Sequence, residues 1–160
     1  MRIFIVDDRE EDLYLLETLL KGNGYEVVSA KNGVEALEKL KEDTIDMIIS
    51  DVLMPGMDGF QLCRVCKGDD ALREIPFVFY TATYTDKKDE EFALGLGAEK
   101  FIVKPTEPDV FLKALEGVIK EHEKGALVAP KKPVEEEIYL KQYNERLIQK
   151  LERKMLILEN

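Results

Sequence analysis

Five short apolar runs punctuate the chain, at Ile3–Val6, Glu26–Ala30, Met47–Ser50, Phe77–Tyr80 and Phe101–Val103. Within them Val, Ile and Phe follow one another nearly continuously instead of alternating with polar residues. That is the pattern of strands covered on both faces, and so of a parallel sheet. Between the runs the apolar residues return at helical spacing. Leu13, Leu16, Leu19 and Leu20 form one stripe, and Val34, Leu37 and Leu40 a second. Further helices are predicted at Phe60–Lys67, around Asp86–Leu96 and at Val110–Ile119, where Leu112, Leu115, Val118 and Ile119 share a face. Strand and helix therefore alternate five times, which predicts an α/β fold with a doubly wound five-stranded parallel sheet and helices on both faces. Right-handed crossovers then bring the C-terminal ends of the strands to one edge.

After Lys124 the rhythm changes. Residues 125–134 contain Gly125, Pro130 and Pro133 around Lys131-Lys132 and have no apolar period, so they read as a linker between a domain at 1–124 and a final segment. Residues 135–160 hold no Gly or Pro and are rich in Glu, Lys, Leu and Gln, which predicts a long helix. Leu140, Leu147, Leu151, Met155 and Leu158 recur at intervals of three and four along it, with Asn144 in the same stripe. One polar Asn in such a seam can set the register of a parallel coiled coil. The expectation is a homodimer, or partner packing, through this helix; the alternative is that the stripe packs on its own domain. Such a helix suits either a chain that stands alone and dimerises or the front end of a longer protein, and its end in mid-period at Leu158-Glu159-Asn160 favours the expectation of a coiled coil that continues in a longer protein.

The formal charge is −10, placed unevenly: residues 1–124 carry 16 Lys+Arg against 27 Asp+Glu, whereas residues 125–160 carry 7 against 6. An acidic body without a basic stripe disfavours direct nucleic-acid binding. No apolar run approaches the roughly 20 residues that span a bilayer, and the first apolar stretch is too short and too soon followed by Asp7-Asp8 for a signal peptide. A cytoplasmic location with no membrane contact is expected. Cys63 and Cys66 form a CxxC, but no second pair or His cluster completes a zinc site, and they share one helical face, as two packed thiols would. His122, the one histidine, sits among charges and reads as a solvated residue.

In a doubly wound sheet ligands bind outside the carboxyl ends of the strands. Here those ends are Asp7-Asp8, Asp51, Thr81 and Lys104-Pro105. Three carboxylates gathered at neighbouring strand ends repel one another unless a cation neutralises them. Oxygen-only donors suit Mg²⁺ better than zinc. Lys104 offers a compact charge for a carboxylate or a phosphate, and Thr81 a hydroxyl donor.

With these residues in this order, the chain resembles the receiver domains of two-component response regulators over roughly residues 1–122. The acidic pair matches Asp7 and Asp8. The phosphoacceptor matches Asp51, followed by Met54-Pro55-Gly56-Met57-Asp58-Gly59. The switch hydroxyl matches Thr81, followed by Ala82; the aromatic switch position matches Phe101; the lysine with a usually cis-bonded proline matches Lys104-Pro105. The resemblance implies a flavodoxin-like sheet of order 2-1-3-4-5. It implies that Asp51 takes a phosphoryl group from a histidine kinase or phosphotransfer protein, and that the chain is a signalling switch acting only in its own phosphorylation and slow self-dephosphorylation. It also implies Mg²⁺ held by Asp8, Asp51 and the backbone carbonyl of Leu53, with Asp7 acting through water. Phosphorylation would then draw in Thr81 and Lys104 and let Phe101 rotate, controlling a partner or an attached output domain.

Two positions depart from the family's common pattern. Phe101 stands where Tyr is frequent, which leaves ring packing as the only readout there. Leu53 and Thr83, two residues beyond Asp51 and Thr81, supply no acid or amide to orient an attacking water, so a long-lived phosphoryl state is expected. A phosphatase of the dehalogenase-like class would need Asp-x-Asp after its first strand, whereas Asp7-Asp8 are adjacent. A vestigial interaction module is disfavoured by the complete set of site residues.

Overall fold

A computed structural model describes residues 1–124 and 136–159, with side chains in the last helix described from 138 to 151. The predicted linker lies outside the described residues, as do the side chains of Met155 and Leu158. The elements run β1 (Arg2–Val6), α1 (Glu10–Gly22), β2 (Glu26–Ala30), α2 (Gly33–Leu40), β3 (Met47–Ser50), α3 (Gly59–Gly68), β4 (Phe77–Thr81), α4 (Lys87–Gly95), β5 (Lys100–Val103), α5 (Pro108–Glu123) and α6 (Glu136–Glu159). The five strands form one parallel sheet in the order β2-β1-β3-β4-β5.

The nearly continuous apolar runs have a direct structural cause: successive residues point to opposite faces of the sheet, and helices cover both. Phe4, Val6, Ile48, Phe77, Phe79 and Phe101 face a core shared with α2, α3 and α4. Ile3, Ile5, Met47, Ile49, Val78 and Ile102 face a second core shared with α1 and α5. Cys63 and Cys66 are free thiols buried in the first core, where desolvation holds Cys63 well above the ordinary thiol range and pushes Cys66 up to about 12. His122 is exposed.

Helix starts are set by local chemistry. Asp58 caps α3 in a reciprocal box with Gln61: its Oδ1 accepts from the Gln61 N–H at 2.9 Å, and its own N–H donates to Gln61 Oε1 at 3.0 Å. Asn32 accepts from the Glu35 N–H at 2.8 Å to start α2. Pro108 opens α5 two residues before the predicted start at Val110, because a proline there forfeits no helical hydrogen bond.

The last helix docks on the domain through a face other than the predicted stripe. Leu140 and Leu151 of the predicted stripe are exposed, as is Asn144, while Tyr139 and Arg146 are buried against α3 and α4 of the same chain. The face turned to the domain is Tyr139, Tyr143, Arg146 and Lys150, rotated by one residue from the leucine stripe. Tyrosine rings and the stems of Arg and Lys cover apolar surface while their polar ends reach acidic partners, so this face is amphipathic without being leucine-rich.

Candidate functional site

The sheet order explains why the chemistry converges. β1 and β3 are neighbours, so the loops after them start side by side, and β4 and β5 follow on the same flank. The strand-end residues Asp7, Asp8, Asp51, Thr81 and Lys104, separated by up to 97 positions, therefore meet along the C-terminal edge. Oxygens of Asp7, Asp8 and Asp51 lie within 4.8 Å of one another. Lys104 Nζ stands 2.7 Å from Asp7 Oδ2 and 3.7 Å from Asp51 Oδ2. Asp8, Arg9, Asp12, Asp51, Leu53 and Lys104, with Met54, Pro55, Ala82 and Thr83, line a cleft of about 450 Å³.

The electrostatics fit a cation site. Burial pushes the Asp51 carboxyl above its ordinary range and Asp7 pushes it further; Lys104, the Thr81 hydroxyl and the Val52 N–H offset this only in part. Asp8 is also raised, by desolvation first and the Asp7 charge second. Burial alone would lower the Lys104 ammonium, but its hydrogen bond with Asp7 and the charges of Asp51, Asp7 and Asp12 hold it above its usual value. A cluster of oxygens that resists carrying its full negative charge is the donor set a hard divalent cation requires. Asp7 already uses both oxygens within the protein: Oδ2 pairs with Lys104, and Oδ1 accepts from the Arg9 N–H at 3.0 Å.

The loop after β3 is held tightly. Gly59 N–H donates to the Val52 carbonyl at 2.7 Å, and a Cβ added at Gly59 would fall 2.1 Å from the Asp51 carbonyl oxygen, so only glycine lets α3 begin this close to β3. The Lys104-Pro105 bond is cis. Thr81 is buried, and its Oγ1 accepts from the Thr83 N–H at 3.2 Å. Phe101 lies away from the cleft, buried with its ring 6.1 Å from that of Phe79.

Residues 3–116 match the family model described as the response regulator receiver domain. The chain belongs to the response regulator receiver family. The receiver domain is 44% identical over 113 residues to the response regulator PleD of Caulobacter vibrioides, a match covering 71% of this chain and 24% of that protein. It is 33% identical over 117 residues to the polar-differentiation response regulator DivK of Brucella anthropi, covering 73% of this chain and 94% of that one. The chain thus spans about a quarter of PleD but nearly all of DivK. Among solved structures, it resembles the signal receiver domain of a signal transduction histidine kinase from Syntrophus aciditrophicus, with a TM-score of 0.69 at 32% identity over 84% of this chain and 98% of that one. The chemotaxis protein CheY4 of Vibrio cholerae gives 0.69 at 32% identity, over 73% and 97%. The receiver fold, its five-stranded sheet and its place among two-component signalling switches are thereby established, and no described helix is long and apolar enough to cross a membrane.

Three participants were not picked out in the sequence. Asp12 brings a third carboxylate to Lys104, at 3.3 Å, beside Asp7 and Asp51. It is one of three acidic residues in the first turn of α1, where helix-dipole stabilisation is a sufficient reason for their presence, so nothing in the pattern marked it out. Asp58 accepts a hydrogen bond from the Tyr143 hydroxyl. Asp89, wholly buried, is paired with Arg146 and Lys150. The last two depend on where α6 lies, which no local pattern encodes.

Proposed function

We propose that Asp51 is the phosphoacceptor of this receiver domain. A carboxylate oxygen of Asp51 attacks the phosphorus of a phosphohistidine on a kinase or phosphotransfer protein; a P–O bond forms, the P–N bond breaks, and the imidazole leaves with the electron pair. The observation carrying this reading is the position of Lys104 Nζ, within 4 Å of both Asp7 and Asp51 at the cleft that three carboxylates line. Lys104 is placed to release Asp51 toward an incoming phosphoryl group and to pair with its oxygens. The Thr81 hydroxyl is placed to donate to the same oxygens, and Leu53 and Pro55 shape the outer wall.

Asp8, Asp51 and the Leu53 carbonyl would hold Mg²⁺, with Asp7 acting through water, in line with the two protein partners its oxygens already have. When bound, the ion offsets the repulsion between the anionic nucleophile and the anionic phosphoryl group. The acyl phosphate then redraws the local hydrogen bonds, shifting the loop that carries Thr81 and the packing of Phe101. Leu53 and Thr83 give no group to orient a hydrolytic water, which supports slow self-dephosphorylation. The domain acts in the cytoplasm on a partner or an attached output domain. A second copy of the chain is the proposed occupant of the stripe of Leu140, Asn144, Leu147 and Leu151, exposed except for the half-buried Leu147, supported by the single Asn in that seam.

Intact mass after incubation with acetyl phosphate and Mg²⁺ tests the central claim. The wild-type chain should gain one phosphoryl group and Asp51→Asn none. Equal labelling of both would refute the assignment, and rapid loss of the label from purified phosphoprotein would refute the slow-decay reading. Sizing of the wild type against a Leu140→Glu, Leu151→Glu variant tests the dimer.

A further inference from the structure

Four side chains of α6, Tyr139, Tyr143, Arg146 and Lys150, reach across to the α3–α4 face. The Arg64 guanidinium lies 4.4 Å from the centre of the Tyr139 ring, which stacks on Phe92 at 6.1 Å. The Tyr143 hydroxyl donates to the Asp58 carboxylate. Arg146 pairs with Asp89 at 3.3 Å, and Lys150 with Asp89 at 2.8 Å and Asp86 at 3.8 Å. Lys150 Nζ also stands 5.2 Å from the centre of the Tyr84 ring.

The residues grasped in this way are the far ends of the two loops whose near ends form the phosphoacceptor cleft. Asp58 caps α3, and the next residue, Gly59, is bonded to Val52 and pressed on the carbonyl of Asp51. Thr81, Ala82 and Thr83 border Asp51, and the next residue, Tyr84, packs edge-on against Phe60 at 5.1 Å beneath α6. Asp86 and Asp89 are joined across the start of α4, where the Asp86 N–H donates to Asp89 Oδ2 at 3.1 Å. We propose that α6 is a reversible clasp on the α3–α4 face, and that its engagement opposes phosphorylation of Asp51; this rests on the phosphoacceptor reading above.

The coupling follows from the geometry. A phosphoryl group on Asp51 draws its donors from the loop after β4, and pulling Thr81 and Thr83 toward Asp51 withdraws Tyr84 and Asp86 from Lys150. Asp89 is wholly buried, and the cations that balance it at these distances, Arg146 and Lys150, both come from α6. The clasp is therefore held by charge pairs that water can replace when α6 leaves, together with the Tyr139 and Tyr143 rings, which pack on the first core beside Phe92. It also carries a built-in weakness: among the described residues the buried Tyr139 hydroxyl has no hydrogen-bond partner, which disfavours the docked state. Linkage is reciprocal, so whatever factor phosphorylation takes from docking, docking takes from phosphorylation.

Two variants move the clasp in opposite directions. Arg146→Ala with Lys150→Ala should release α6, and Tyr139→Phe, which deletes the orphaned hydroxyl, should tighten it. Amide hydrogen exchange of residues 138–151 reads docking, and intact mass after acetyl phosphate and Mg²⁺ reads phosphorylation. The released variant should exchange faster, be labelled faster than wild type and bind beryllofluoride with Mg²⁺ at least about fivefold more tightly; Tyr139→Phe should be slower in exchange and labelling, and beryllofluoride with Mg²⁺ should raise exchange in wild-type α6. A released variant labelled at the wild-type rate, unchanged exchange in either variant, or undiminished protection in beryllofluoride would overturn the clasp while leaving Asp51 as acceptor. Absence of labelling in every variant would instead overturn the phosphoacceptor reading, and the clasp with it.

Discussion

Gly59→Ala is the substitution whose outcome the structure constrains most tightly. The added methyl would lie 2.1 Å from the Asp51 carbonyl oxygen and 2.9 Å from Val52 Cα, both backbone atoms that cannot swing aside. To restore ordinary van der Waals separation, α3 must retreat from β3 by about 1 Å, a shift of the kind that overpacked cores make. The hydrogen bond from the Gly59 N–H to the Val52 carbonyl, 2.7 Å long, is the first to break. Overpacking costs typically about 1–3 kcal/mol, and breaking a buried backbone hydrogen bond about 1 kcal/mol more. Alanine's helix preference over glycine returns at most about 1 kcal/mol. The expected net destabilisation is about 1–3 kcal/mol, a large share of the stability of a domain this size. Gly117 provides the control: it lies exposed in α5, and a Cβ added there would meet no heavy atom within 4 Å, so Gly117→Ala should stabilise by about 0.5–1 kcal/mol. Urea denaturation of the two variants beside wild type, compared at equal m, gives both numbers. A Gly59→Ala variant within about 0.5 kcal/mol of wild type, or a more damaging Gly117→Ala, would contradict the close approach of α3 to β3.

Phe60 makes edge-on contacts with Phe79, Tyr84 and Phe92 at ring distances of 5.5, 5.1 and 4.9 Å, so Phe60→Ala should cost about 3–5 kcal/mol in the same denaturation assay; a loss below about 1 kcal/mol would contradict its central place in the core. Cys63 and Cys66, buried and with their thiols held high, should resist iodoacetamide at pH 8 in the native protein and react once it is unfolded, so prompt native labelling of either by mass would count against the packing. Burial raises the Asp58 carboxyl despite the donors from Tyr143 and the start of α3. The folded state therefore holds this proton more readily than the unfolded chain. Its ionisation subtracts from stability at neutral pH, and that loss is relieved as pH falls through the raised folded value toward the ordinary 3.8. A carboxyl-carbon NMR titration of Asp58 with its midpoint at or below 3.8 would refute this.

Much of the fold is legible in the residues because burial on both faces leaves an unmistakable trace. Runs such as Ile3–Val6 and Met47–Ser50 have no solvent face, and a chain that alternates them with amphipathic helices has few ways to pack other than a doubly wound sheet. The convergence of Asp7, Asp8, Asp51, Thr81 and Lys104 could be anticipated for the same reason, since each ends a strand and parallel strands end on one edge. Contacts that depend on the placement of one surface on another could not be anticipated. That Asp12 reaches Lys104, or that Asp58 meets Tyr143 85 positions later, follows from how α1 and α6 lie against the domain. The period of α6 announces an apolar stripe through Leu140, Leu147 and Leu151, yet the face that docks is Tyr139, Tyr143, Arg146 and Lys150. Periodicity reports which side of a helix prefers to leave water; only the buried Asp89 and the rings of Phe92 and Tyr84, brought together by the folded domain, decide which side finds a partner.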